Sequence, residues 1–271
     1  MSPLVMGVLN VTPDSFSDGG EWFDAASAVQ RGDEMLADGA DVIDVGGEST
    51  RPGAAPVPVY EELSRVLPVI EGLADSVRAA GRRISIDTRH ADVARAAVDA
   101  GASIINDVTA SLDEVAAETG AGWVAMHMQG VPGTMQDAPH YGDVVEEVRA
   151  SLVAAEARAR SLGVEECWID PGIGFGKTFD HNWSLLAHLD RLVATGIPVA
   201  VGTSRKGFLG AAMADADGAA DPAPPGDRLE GSVTTALWAA TMGADMIRVH
   251  DVAATVRALA TPVGGSTRSS S

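Results

Sequence analysis

Eight times along the chain a short apolar run passes into a polar cluster, and an amphipathic stretch follows. The runs are Val5–Val11, the segment DVIDVGG with Val42, Ile43 and Val45, Arg83–Thr88, Ser103–Val108, Trp123–Met128, Cys167–Asp170, Pro198–Gly202 and Asp245–Val249. They are mostly continuous rather than alternating, the mark of parallel strands buried on both faces. The stretches between them predict helices over Asp24–Asp38, Glu61–Ala80, Ala91–Ala100, Asp113–Thr119, Asp143–Leu162, Asn182–Thr195, Leu229–Met242 and Ala253–Ala260. In the second of these, Leu63, Val66, Leu67, Ile70 and Leu73 fall at helical spacing, and Gly81 ends the run. The segment DADGAADPAPPGD reads as an exposed, mobile insertion, and GGSTRSSS as a disordered tail.

Eight strand–helix units are the number that closes a TIM barrel. The reading is therefore α/β, a single (β/α)8 domain over residues 1–263 with a tail at 264–271. An open doubly wound sheet is the alternative, but no GxGxxG follows the first strand, where a dinucleotide site needs it. The glycines of GIGFGKT follow the sixth strand and lack the P-loop spacing GxxxxGK[ST], which argues against nucleoside triphosphate binding.

Charge narrows the partners. The formal net charge is −19, from 19 basic and 38 acidic residues, so nonspecific nucleic-acid binding is not expected. A local cationic cluster can still hold a small anion. No run of eighteen apolar residues predicts a membrane span, and MSPLVMGVLN does not read as a secretory signal. The single cysteine, Cys167, excludes an intramolecular disulfide and reads as core, in keeping with a cytoplasmic setting.

Active sites of barrels lie at the C-terminal ends of the strands. Those ends carry Asn10, Gly46 to Arg51, Asp87, Asn106, Met126 to Gln129, Asp170, Ser204 to Lys206, Arg248 and His250. Singly, the Asp, Asn and Ser residues can be helix caps. Lys206, one of only two lysines beside Lys177, and the Arg248/His250 pair are not explained that way. Arg248 and His250 are two apart, on one face of a strand, and suit a phosphate oxygen; the bland reading pairs Arg248 with Asp251 or Asp245. Asp87, Asn106 and Asp170 can match the N–H edge of a heterocycle or hold a metal. The set lacks the histidines of a zinc site, which leaves Mg²⁺ on a phosphate, with Asn10 and water. His90, His140, His181 and His188 read as surface or capping residues, and the direction of His127 is open. No G-x-S-x-G elbow is present.

The successive motifs MGVLNVTPDSFSDGG, DVIDVGGESTRPGA, SIDT, IND, MHMQG, DPGIGFGKT, TSRKGFLG, RLEGS and RVHDV resemble, in order from Met6 to Val252, those of the dihydropteroate synthases. The resemblance implies a barrel transferase of folate synthesis that joins 6-hydroxymethyl-7,8-dihydropterin diphosphate to 4-aminobenzoate, releasing pyrophosphate. It implies that Asp87, Asn106, Asp170 and Lys206 grip the pterin and that Met126 and Gly202 line its slot. Asn10, Thr50, Arg248 and His250 hold the diphosphate, with Mg²⁺ at Asn10. Phe175, Pro52, Arg51 and Ser204 meet the 4-aminobenzoate, and Phe16 and Asp18 help close the site. A homodimer is implied as well. Neutralised pyrophosphate is a good leaving group, and Asp87 can stabilise a methylene carbocation, so an SN1-like substitution is expected. Gly207 stands where the family often has Ser after SRK, which removes a hydroxyl contact to the carboxylate; amide N–H groups at the helix start can still bind one. The family's N-terminal hairpin reads as short or absent. Two rivals are a methyltetrahydrofolate-dependent methyltransferase and a catalytically silent pterin-binding paralogue; neither accounts for STRPG and SRK together.

Overall fold

The computed structural model describes residues 2–12, 24–49, 56–131 and 133–261. The strands are β1 (Leu4–Asn10), β2 (Val42–Gly46), β3 (Arg83–Asp87), β4 (Ile104–Asp107), β5 (Gly122–Met126), β6 (Cys167–Asp170), β7 (Ala200–Val201) and β8 (Met246–Val249). All pairings are parallel, in the order β6-β5-β4-β3-β2-β1-β8-β7. A parallel bridge between Ile169 and Val199 joins β6 to β7 and closes the ring. The helices are α1 (Ala25–Ala37), α2 (Val59–Ala79), α3 (Ala91–Ala100), α4 (Asp113–Thr119), α5 (Val144–Leu162), α6 (Phe179–Ala187), α7 (Asp190–Val193), α8 (Gly207–Asp217), α9 (Leu229–Thr241) and α10 (Val252–Ala260). The expected barrel is the observed one.

Continuous apolar strands bury two faces, and alternation assigns them. The outward set, including Val5, Leu9, Ile43, Val45, Ile84, Ile86, Ile105, Trp123, Ile169 and Ile247, packs under the helices in one large core. The inward set forms a second, separate cluster: Met6, Val42, Ile104, Val124, Trp168, Ala200 and Met246. This second cluster is the floor of the barrel interior. Arg83 lies over the Trp168 ring, 5.7 Å from its centroid, and pairs with Glu166.

Helix starts follow local chemistry. Asp24 caps α1 by accepting from the amides of Ala26 and Ser27, and Asp143 caps α5 by accepting from Val145 and Glu146. Thr178 and His181 form a capping box on α6. Each such cap satisfies amide groups that the first turn leaves without a helical partner.

Three expectations shift. The helix expected over Asn182–Thr195 is two, α6 and α7, parted at His188, whose ring bonds the Ser184 carbonyl. The seventh ladder is only Ala200–Val201; just before it Val199 N–H donates to the Asp245 carboxylate while Val199 bridges to Ile169. The first part of the expected insertion is the end of α8. The rest is exposed, with a 3-10 turn at Pro225–Asp227 and a tether from Ala223 N–H to the Gly210 carbonyl. The tail at 264–271 lies outside the described residues.

Candidate active site

The floor residues set the register of the site. Two residues beyond Val42, Ile104, Val124, Trp168, Ala200 and Met246 come Asp44, Asn106, Met126, Asp170, Gly202 and Arg248. A spacing of two keeps a side chain on the same face, so this second tier also points inward. Its contacts prove the point. Asn106 Nδ2 donates to Asp44 Oδ2 at 3.0 Å, although β3 lies between their strands. Arg248 Nε donates to the same oxygen at 2.6 Å, and its second nitrogen reaches Asp87 Oδ2 at 2.6 Å across β1 and β2. One guanidinium thus holds two carboxylates inside the barrel. The bland expectation for Arg248 is corrected: Asp251 pairs with Arg205, and Asp245 accepts from Val199.

These charges are costly to bury and modify one another. Burial pushes the Asp87 carboxyl up, and Asp44 adds to this; Arg248 opposes, and the balance lies at about 7. Burial likewise raises Asp170, against Lys206 and the Gly172 amide, which donates to it at 2.7 Å. Burial lowers Lys206 to about 8, with Asp170 holding it up. Arg248 is raised by the two carboxylates in spite of its burial, so its charge is fixed. Breaking such a buried pair by removing one partner costs about 3–5 kcal/mol.

Above the tier, the loops add a third level. Lys206 donates to the Ile173 carbonyl, and its Nζ lies 4.8 Å from the centre of the Phe175 ring. Ser204 Oγ accepts from His250 N–H and meets His250 Nδ1, both at 3.1 Å. Arg248 and His250, expected to share a face, therefore engage different partners at different levels. Asn10 ends β1 half-buried beside Gly46. Phe16, Asp18, Thr50, Arg51 and Pro52 lie outside the described residues. The base of the segment that carries Thr50 is firmly built. Glu48 accepts twice from Arg89, at 2.7 and 2.9 Å, and once from Val57 N–H. Burial works against the Glu48 carboxylate, but Arg89 outweighs it and holds the group low.

Sequence reasoning missed Asp44, although a carboxylate in phase with Val42 inside an apolar strand is a visible signal. It also left Lys177 without a role and placed His90 among capping or surface residues. His90 makes no side-chain cap; its ring meets the fully buried Glu62 at 2.6 Å. His127 turns to Lys177, 3.0 Å away.

Two of the three glycines of DPGIGFGKT, Gly172 and Gly176, serve close packing of backbone on backbone, and Gly174 faces the Lys206 side chain. At Gly172 (φ +63°) a Cβ would stand 1.8 Å from the His127 carbonyl oxygen, and at Gly176 (φ +61°) 2.2 Å from that of Gln129. At these two positions the β5 and β6 loops meet with no room for a side chain between them.

A parallel eight-stranded barrel with an acid–amide–arginine tier at its C-terminal mouth defines a class, and residues 6–250 match the pterin binding enzyme family. The dihydropteroate synthase of Mycobacterium leprae (strain TN) is 51% identical over 263 residues, covering 94% of this chain and 90% of that protein. The structure of Xanthomonas albilineans dihydropteroate synthase with 4-aminobenzoic acid is 47% identical, covers 96% of this chain and 94% of that one, and superposes with a TM-score of 0.86. The same enzyme in complex with 7,8-dihydropteroate is 44% identical with a TM-score of 0.82, covering 96% and 95%. The chain belongs to the dihydropteroate synthase family.

Proposed function

We propose that this protein condenses 6-hydroxymethyl-7,8-dihydropterin diphosphate with 4-aminobenzoate to give 7,8-dihydropteroate and pyrophosphate. The observation that carries the reading is the inward tier of Asp44, Asn106, Asp170 and Arg248, with Asp87 and Lys206, over a closed apolar floor. The 4-aminobenzoic acid and 7,8-dihydropteroate bound by the Xanthomonas enzyme support the choice of substrates.

Asn106, Asp170 and Lys206 are assigned to the pterin edge, where donors and acceptors alternate, and Met126 and Gly202 to the walls of its slot. Arg248, His250, Asn10 and Thr50 are assigned to the diphosphate. Phe175, Ser204, Arg51 and Pro52 are assigned to the aromatic amine, with Phe16 and Asp18 closing over the site. The C–O bond at the pterin methylene breaks, and its electron pair leaves with pyrophosphate. Asp87, when ionised, stabilises the positive methylene carbon. The amine lone pair then forms the C–N bond, and the nitrogen loses a proton. The reaction needs placement and charge more than covalent assistance.

Mg²⁺ belongs to the same proposal. Among the described residues no group of three His, Cys, Asp or Glu is gathered for a metal. A single amide oxygen at Asn10 fits a hydrated Mg²⁺ that takes its other ligands from water and substrate phosphates. Bound there, the ion would neutralise the leaving diphosphate. A homodimer is supported by Phe179 and Trp183 on α6 and Leu229 and Trp238 on α9, all exposed, on helices joined by a bond from Trp238 Nε1 to the Leu186 carbonyl. A monomer in sedimentation velocity removes that part. A cytoplasmic setting is supported by Cys167, buried and free, with burial pushing its thiol up to about 12.

The test mixes the protein, Mg²⁺, the pterin diphosphate and 4-aminobenzoate. Dihydropteroate and pyrophosphate are expected in equal amounts, with a substantial secondary deuterium isotope effect at the methylene. Pterin binding without product sinks the proposal; a near-unit isotope effect sinks its dissociative step.

A further inference from the structure

Four consecutive carbonyl oxygens of the β6–α6 loop are each taken by a side-chain donor. Lys206 Nζ takes that of Ile173, Gln136 Nε2 that of Gly174 at 2.6 Å, Lys177 Nζ that of Phe175 at 3.0 Å, and Tyr141 Oη that of Gly176 at 2.8 Å. A packed loop must satisfy its backbone, but neutral donors suffice for that. Lys177 is a different matter. It is 1% exposed, and taking an ammonium out of water costs several kcal/mol. Burial lowers the Lys177 amine to about 7, with Asp170 holding it up; in its charged form all three protons are directed, to the Phe175 carbonyl, to the His127 carbonyl at 3.2 Å and to His127 Nδ1 at 3.0 Å. His127 is held neutral as the acceptor, since burial and the Lys177 charge lower it to about 4. The Tyr141 ring centre lies 5.9 Å from the same ammonium.

The consequence falls on Phe175. Its carbonyl is fixed by one lysine, and its ring lies against the other, 4.8 Å from Lys206 Nζ. We propose that Lys177 is a positioning residue for the second substrate, holding the Phe175 ring through its own backbone as one wall of the aromatic-amine pocket. This rests on the assignment of Phe175 to 4-aminobenzoate above. Lys177 touches no reacting atom and its hydrogen bonds go to Phe175 and His127; its charge acts on Asp170 only through space, so its removal loosens the Phe175 wall far more than the pterin contacts.

The experiment is two-substrate steady-state kinetics on Lys177→Met, Tyr141→Phe, Gln136→Ala and Phe175→Ala. Lys177→Met is expected to raise the KM for 4-aminobenzoate about tenfold, equivalent to about 1.4 kcal/mol. The KM for the pterin diphosphate stays within about twofold, the scale of a neutral surface change. Tyr141→Phe and Gln136→Ala, which free the flanking carbonyls, raise the same KM by smaller factors and keep the test alive if Lys177→Met fails to fold. Equal rises in both KM values, or a loss of thermal stability alone in all three variants, overturns the inference. Phe175→Ala separates the two assignments. If it raises the 4-aminobenzoate KM while the other variants do not, Lys177 loses its role. If it leaves that KM unchanged, the wall assignment falls and the inference with it.

Discussion

Asp44 changes the meaning of Arg248. A lone guanidinium at a barrel mouth is a mobile anion trap; one bonded by two carboxylates is a fixed strut whose remaining edge has a defined direction. The same crowding sets a pH window. Asp87, raised to about 7, stabilises a cation only when ionised, so kcat/KM falls as pH drops through that value. Lys206, lowered to about 8, carries charge only below it, so kcat/KM falls again above. A bell with its maximum between these values is the expected outcome, read from kcat/KM for the pterin diphosphate. A flat profile from pH 6 to 9 removes either the charge states or the roles. At this scale the sequence names Asp87, Asn106, Asp170, Lys206 and Arg248 because they end apolar runs. Asp44 lies inside one: its carboxylate in phase with Val42 is visible, but its role is not, because the partners that define it are up to 204 positions away.

The β6–α6 loop shows how an element is specified by what it must avoid. Gly172 and Gly176 both need positive φ, and both face a carbonyl oxygen of the neighbouring loop. Gly218, which ends α8, also has positive φ (+67°) but faces open space. Gly218→Ala is therefore expected to cost about 1–2 kcal/mol, the penalty of a left-handed alanine. Gly172→Ala adds a collision with backbone and is expected to cost about 3 kcal/mol or more. Urea unfolding of both variants measures the difference; equal losses show that the loops part freely. The eight-unit order, most helix limits and the glycine stops are legible in the sequence, because period and punctuation are local. The two-residue ladder of β7 is not. At its start the amide of Val199 is taken by the carboxylate of Asp245, in the next strand unit.

At the scale of the molecule, a chain of net charge −19 gathers Lys177, Lys206 and Arg248 around one mouth. The apolar cluster of Met6, Val42, Ile104, Val124, Trp168, Ala200 and Met246 closes the other end. That floor has a kinetic consequence. A well with one opening makes its occupants queue. Asn106 and Asp170, assigned to the pterin edge, and Asp87, assigned to its methylene, are on strands; Lys206 comes from the start of α8, and Phe175 and Ser204 are on the loops above the strands. A molecule at loop level blocks the way to strand level, so the pterin diphosphate must enter first and the aromatic acid second. Dead-end inhibition by a 4-aminobenzoate analogue should then be uncompetitive toward the pterin diphosphate, and a competitive pattern would mean that the two arrive by separate routes.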